Sequence, residues 1–215
     1  MENNNLIIKS LDTLKEINAS QKNIIINNIQ KLEKKIFPKN EQMDISAEIK
    51  KRTNTLIIAM TKNNNYNSED SYSININKNK NKNKNNNENE KNKLKKKKSK
   101  INSKNMKQTS PKLNSTNSDS YNVQGYLIYS KKDSIIKFAV DPSKRNQGTG
   151  WKLLSYSLQR MTNQAPKEHK INLSVDINRL PAQYLYKKAG FKIKEQINDY
   201  YEPNRHAYIM EYTVT

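Results

Sequence analysis

Residues 140–154 read VDPSKRNQGTGWKLL. The chain has only 4 glycines, and two of them, Gly148 and Gly150, stand in this stretch. The apolar, β-branched run Ile135–Val140 (IIKFAV) precedes them. An amphipathic run follows, with Trp151, Leu154, Leu158 and Met161 on one face, which predicts a helix over 148–161. Glycine between a strand and a helix lets the backbone approach a ligand and aim its N–H groups at it. The positive end of the helix macrodipole strengthens that, and such an end binds phosphate through main chain alone. Lys144 and Arg145 bring full charges to the same mouth. The stretch is therefore a candidate pyrophosphate cradle; the plainer alternative is a glycine turn that merely opens a helix. It matches neither the dinucleotide pattern G-x-G-x-x-G nor the P-loop G-x-x-x-x-G-K-[ST].

Outward from this loop the chain reads as mixed α/β. Val123–Tyr129 and Ile135–Val140 form an antiparallel pair across SKKDS, and Ile171–Asp176 closes a βαβ crossover after the helix. A helix over Leu180–Ala189 is opened by Pro181 and ended by Gly190, and strands Phe191–Ile197 and Ala207–Val214 follow. On the N-terminal side, Asn5–Ile8 is a short strand. Ile25, Ile29, Leu32 and Ile36 make one face of a helix over Ser20–Phe37, with Ser20 as its N-cap and Pro38 as its stop. A second helix starts near Asp44 or Ser46 and ends by Arg52, and Leu56–Met60 (LIIAM) is a buried strand.

Between these two parts, residues 62–120 are mostly Asn, Lys and Ser without periodicity, which reads as a disordered insertion. The organisation is then 1–61 and 121–215 as two parts of one domain, with 62–120 inserted between them. This explains the low overall content of 33% hydrophobic and 28% charged residues. It also explains much of the formal net charge of +20, since Lys78–Lys112 holds fourteen lysines against Glu88 and Glu90. Such a field suits a ribosome or another polyanion, whereas the absence of interleaved aromatics argues against stacking on single strands. An AT-biased genome writing Asn and Lys into a tolerated loop explains the segment equally well.

The absence of cysteine excludes a disulfide framework, a thiolate metal site and a cysteine nucleophile. With 2 histidines, a histidine-built metal centre is not expected. The N-terminus lacks the basic and apolar regions of a signal peptide, and no run approaches the ~20 apolar residues of a membrane span. A cytoplasmic, or alternatively nuclear, protein is the expectation.

Arg145-x-x-Gly148-x-Gly150 after the strand FAVDP resembles the coenzyme A pyrophosphate loop of the GNAT superfamily of N-acetyltransferases. The segment INLSVDINRLPAQYLYKKAGF is similar to the second signature of that family, with Ala182, Leu185 and Tyr186 on a helix before Gly190 and Phe191. The ending NDYYEPNRHAYIMEY and the front KLEKKIFPKNEQMDISAEIKKR resemble the protein-directed members. The resemblance covers residues 5–60 and 121–214. It implies a GNAT fold, a mixed central sheet flanked by helices, and acetyl-CoA as co-substrate with no metal.

By the same resemblance, the backbone of Phe138, Ala139 and Val140 pairs with the pantetheine arm, and the Val140 N–H polarises the acetyl carbonyl. Arg145, Asn146, Gln147, Gly148, Thr149 and Gly150 hold the pyrophosphate, and Asn178 belongs to the cofactor set. Tyr186 is the general acid; Tyr184 has the wrong spacing to Ala182. Phe37, Pro38, Tyr200 and Tyr201 wall the acceptor groove. The sequence departs from the pattern in two ways. Arg179 stands where N-terminal acetyltransferases usually have Asn, with Asn178 one earlier, and neither INLSVD nor IIKFAV carries the acid or histidine that some relatives use as a base. Asp176, Tyr200, Tyr201 and His206 remain as candidate bases, or an ordered water suffices.

The expected function is acetyl transfer to a primary amine of a protein or peptide. N-terminal α-amines come ahead of lysine ε-amines, and the transfer is direct, in a ternary complex. Two alternatives stand beside it: a small amine or polyamine acceptor, and a non-catalytic acyl-CoA fold that binds nucleic acid through the basic insertion.

Overall fold

The computed structural model describes residues 5–63, 120–131, 133–163 and 165–215. In chain order the elements are β1 (Ile7–Ser10), α1 (Ala19–Ile36), α2 (Ile45–Glu48), β2 (Asn54–Asn63), β3 (Ser120–Ser130), β4 (Ser134–Val140), α3 (Thr149–Thr162), β5 (Lys170–Asp176), α4 (Leu180–Lys188), β6 (Lys192–Glu202) and β7 (Arg205–Thr213). The strands form one sheet in the order β1-β2-β3-β4-β5-β7-β6. Every neighbouring pair is antiparallel except β4 and β5, which are parallel and joined through α3. This is the GNAT arrangement that the resemblance implies.

Both faces of the sheet are covered, which is why LIIAM reads as a continuous apolar run. Ile57 and Ala59 of β2 face a core shared with Leu153, Leu154, Leu158 and Met161 of α3 and Tyr186 of α4. Their neighbours Leu56, Ile58 and Met60 face Ile25, Ile29 and Leu32 of α1. Within this frame Gly125 of β3 sits opposite Val140, and a Cβ there would lie 2.7 Å from the Ala139 carbonyl oxygen. Glycine is thus required where β3 and β4 come together just before the loop.

Several boundaries differ from the sequence expectation. The N-cap of α1 is Asn18, not Ser20: the Asn18 side chain accepts the Gln21 N–H, and the Gln21 side chain accepts the Asn18 N–H, both at 2.9 Å. The predicted second helix is a single turn, capped by Asp44 accepting the Ala47 N–H at 3.1 Å. Trp151 lies off the buried stripe of α3 and is 37% exposed; Leu153, Leu154, Ser157, Leu158 and Met161 form that stripe. Strand β6 runs on to Glu202 and takes in Tyr200 and Tyr201. The bulk of the expected insertion lies outside the described residues, while its ends are strand: Lys62 stands opposite Tyr121, and Asn63 opposite Ser120.

Candidate functional site

The parallel pair β4 and β5 stays together for one register position only, Ser134 opposite Asn172. Beyond it the strands part. The Asp141 N–H donates to the Gln124 carbonyl on β3 at 2.8 Å. Successive backbone N–H groups on a strand point to opposite edges, so the Val140 N–H is turned away from β3, into the gap. The gap is a cleft of about 430 Å³, lined by Ile136, Lys137 and Phe138 on one side and Leu173, Ser174 and Asp176 on the other. Phe37, Tyr186, Tyr200 and Tyr201 also line it.

At the C-terminal end of β4 the chain enters the quoted loop. Asp141 accepts the Ser143 N–H at 2.9 Å and its hydroxyl at 2.8 Å, and pairs with Lys35 of α1 at 3.0 Å. Partial burial raises the Asp141 pKa, but these partners outweigh it and hold the group below its ordinary value. Asn146 (φ 59°) and Gly148 (φ 79°) are both left-handed. A side chain at Gly148 would point into open space. Among the described residues, the consecutive backbone N–H groups from Asn146 to Trp151 bond to no protein acceptor; the first N–H of the helix to do so is that of Lys152, to Gly148 O at 3.0 Å. This run of open donors on a left-handed turn at a helix N-terminus suits an anion.

The two glycines have different duties. Gly148 supplies the left-handed turn, whereas Gly150 is half-buried against Leu185, Phe138 and Val140, where a Cβ would be in ordinary contact at 3.4–3.7 Å. Arg145 is exposed and folds back on its own loop, its Nε donating to Val140 O at 3.3 Å. Gln147 does the same toward Ser143 O at 3.2 Å. Thr149 is buried.

Tyr186 is buried between Phe138 and Phe191, with ring centres 6.2 and 5.8 Å away, and it lines the cleft. Among the described residues its hydroxyl has no hydrogen-bond partner. Burial, then the neighbouring Tyr201, raise its pKa well above the ordinary tyrosine value, so it stands protonated at neutral pH. Tyr184 is 71% exposed and lines no part of the cleft.

The opposite mouth of the cleft is an ion-pair network, which sequence reading did not foresee. Arg205 donates from Nε to Asp176 at 2.7 Å and from Nη1 to Glu41, and sits 4.7 Å from the Tyr201 ring centre. Lys137 Nζ donates to Glu41 O at 2.7 Å, pairs with buried Glu33 at 3.2 Å and lies 3.5 Å from the Phe37 ring centre. Glu33 in turn accepts from the Tyr126 hydroxyl and, at 2.9 Å, from the Met43 N–H. Burial pushes the Glu33 pKa up against the pull of Lys137. A local signal for this last part exists: a glutamate on the apolar stripe of α1 and a lysine inside IIKFAV are complementary misfits. No local signal pairs Glu41 with Arg205.

The candidate bases fare poorly. Burial works to raise the Asp176 pKa, but the Asn178 N–H at 2.8 Å and Arg205 outweigh it, so Asp176 is a weakened, engaged carboxylate. Burial pushes the Tyr201 pKa up to about 12. The Tyr200 hydroxyl accepts from Ser174 at 3.1 Å. His206 accepts the Asp199 N–H on Nδ1 at 3.0 Å and lies outside the cleft lining. Of the expected site residues, Pro38, exposed after α1, and Asn178, exposed in the turn before α4, stand apart from the cleft lining, and so do Ala139, Val140 and the loop Arg145–Gly150 beyond the end of β4.

The acetyltransferase (GNAT) family matches residues 108–191. An N-alpha-acetyltransferase of Sulfurisphaera tokodaii is 34% identical over 80 residues, 37% of this chain and 47% of that protein. The match therefore spans about half the length of that curated relative. Among solved structures, the chain is similar to the ribosomal-protein-S18-alanine N-acetyltransferase from Escherichia coli, with 13% identity, 98% and 95% of the two chains covered, and a TM-score of 0.56. It is also similar to Arabidopsis thaliana NAA60 in complex with acetyl-CoA, with 11% identity, 98% and 99% covered, and a TM-score of 0.56. At these identities the structural likeness is one of fold.

Proposed function

We propose that the chain, whose residues 108–191 match the acetyltransferase (GNAT) family, moves the acetyl group of acetyl-CoA to the N-terminal α-amine of a protein or peptide, directly, in a ternary complex. One observation carries this reading. The wedge between β4 and β5 brings an unpaired strand edge and a buried tyrosine to one cleft, and an open run of backbone donors follows at the end of that same strand. The residues present fit the co-substrate: a phosphate-bearing end for the cradle, an extended arm for the free edge of Phe138–Val140.

When bound, acetyl-CoA supplies an activated acyl group and a thiolate leaving group. The chain does the rest. The N–H groups of Asn146–Trp151, with Lys144 and Arg145, hold the pyrophosphate. The Val140 N–H, facing the gap, polarises the acetyl carbonyl. Tyr186 gives a proton to the departing thiolate. An ordinary thiol has a pKa of about 8.5 and a tyrosine about 10, and burial raises Tyr186 further, so this proton moves uphill and is drawn forward by the proton that the amine sheds.

Among the described residues no poised base lines the cleft, and this bears on the acceptor. An α-amine with a pKa of about 7.7–8.0 is substantially neutral near pH 7.5, whereas a lysine at about 10.4 is neutral only about one part in a thousand. The α-amine therefore needs no base to free it before attack, and the proton it sheds on forming the amide goes to water or restores the Tyr186 phenol. A polyamine acceptor is disfavoured because the cleft carboxylates Glu41 and Asp176 already face Arg205.

The test is acetylation of synthetic peptides read by mass spectrometry, with Tyr186→Phe beside the wild type. Turnover should fall about 10²- to 10⁴-fold while acetyl-CoA affinity, by calorimetry, changes little. Equal turnover would remove Tyr186 from the mechanism.

A further inference from the structure

Three cations stand around the acceptor mouth, and two are fully engaged. Lys137 is held by Glu33, the Glu41 carbonyl and the Phe37 ring. Arg205 is held by Glu41, Asp176 and Glu202. Arg179 is different. Its backbone is fixed at the start of α4, the Ala182 and Gln183 N–H groups donating to its carbonyl at 3.0 and 3.1 Å. Its guanidinium lies 5.3 Å from the Phe37 ring centre, and its one ion pair among the described residues, to Glu41 Oε2, is 3.8 Å long. The side chain is 41% exposed, and among the described residues none of its donors makes a hydrogen bond. A guanidinium set against a ring is oriented but not satisfied, and its fork matches a carboxylate in two parallel bonds.

We propose that Arg179 reads a carboxylate on the acceptor, so that the preferred substrates are N-termini with aspartate or glutamate within the first three residues. The proposal rests on the peptide-acceptor reading above. Spacing supports the position. Arg179 and Tyr186 are separated by about 10 Å along the helix at 1.5 Å per residue. An extended acceptor advancing about 3.3–3.6 Å per residue covers that distance by its third residue. Charge supports it as well: Lys137 and Arg205 are already paired with carboxylates, so Arg179 is the cation at this mouth whose charge is left for an acceptor. Glu41 orients Arg179 from 3.8 Å without engaging its donors.

The test uses peptides identical except at the second or third residue, carrying glutamate, glutamine or lysine, and compares kcat/KM for wild type, Arg179→Gln and Arg179→Glu. The glutamate-to-lysine ratio is taken within each protein, so any loss of folded enzyme cancels. It should be at least about tenfold in the wild type, as expected for one charge-assisted pair, fall toward unity in Arg179→Gln and invert in Arg179→Glu. Equal ratios in all three proteins, or no preference in the wild type, would overturn the assignment while leaving peptide acetylation in place. Acetylation of no peptide at all would overturn the peptide-acceptor reading and this inference with it.

Discussion

The two ends of the cleft are built by different means. At the proposed cofactor end, where β4 runs into its loop, the groups on offer are main chain: the open N–H run of Asn146–Trp151, the left-handed turn at Gly148 and the freed edge of β4. At the proposed acceptor end they are side chains from distant parts of the chain: Glu41 after α1, Arg179 before α4, and Arg205 opening β7. A backbone site is set by which residues permit a conformation. A side-chain site is set by which charges the fold brings together. The first should therefore depend on backbone conformation at Gly148, and the second on which ions remain at the mouth.

The sharpest way to break the cofactor end is Gly148→Glu. The position has φ 79°, a conformation that costs a non-glycine residue about 1 kcal/mol, and the new carboxylate would enter the open space beside the N–H run. Like charge against the pyrophosphate then removes binding: calorimetry with acetyl-CoA should show no measurable heat, while circular dichroism shows a folded protein. Gly150→Ala is the control at the same loop, because its Cβ makes only ordinary contacts, so binding should persist with a modest loss. Equal loss in both would mean that the loop binds through Gly150 and that the open donors are incidental.

This contrast also explains what was legible in the sequence. The cradle could be read because its cause is local: glycines between an apolar strand and an amphipathic helix, with Arg145 beside them. The strands could be read because LIIAM and IIKFAV state their burial in their composition. Tyr186 could be separated from Tyr184 only through the resemblance; physically the two differ because one lies on the buried side of α4 and the other is 71% exposed. The network at the acceptor end stayed hidden. Glu41 and Arg205 are 164 positions apart, and nothing near either residue announces the other. Asp176 looked like a candidate base for the same reason, since only the fold shows that Arg205 lies against it.

Arg205→Met tests the acceptor end with a smaller effect. It leaves Asp176 and Glu41 without their guanidinium, and Asp176 is buried. Removing one partner of such a cluster should cost about 2–3 kcal/mol, less than for a fully buried pair because Arg205 is partly exposed. The pH dependence identifies the cause. The Asp176 pKa is lowered in the folded state, so its contribution is fully present above its unfolded pKa of about 3.9 and is lost as pH falls through the lower folded value. The melting-temperature gap between wild type and Arg205→Met should therefore be constant above about pH 5 and close toward pH 2. A gap that stays open in acid would mean that Arg205 acts by packing on Tyr201, 4.7 Å away, and not through its carboxylates.

The smallest expected effect concerns what lies outside both ends. Asn63 and Ser120 face each other in register at the ends of β2 and β3, so residues 64–119 can be replaced by a two-residue Asn-Gly turn without altering a described strand. Both the cradle and the Arg205 network are built entirely from residues beyond that cut. Acetyl-CoA affinity and peptide selectivity should therefore stay within about twofold of the full chain, a change of about 0.4 kcal/mol. Any salt-sensitive binding to RNA should fall with the lysines of 78–112. A large loss of acetyl-CoA affinity would make the lysine-rich segment a third part of the cofactor end. Because the cradle's donors are already open to the ligand, that outcome would assign the missing affinity to charge and not to main-chain geometry.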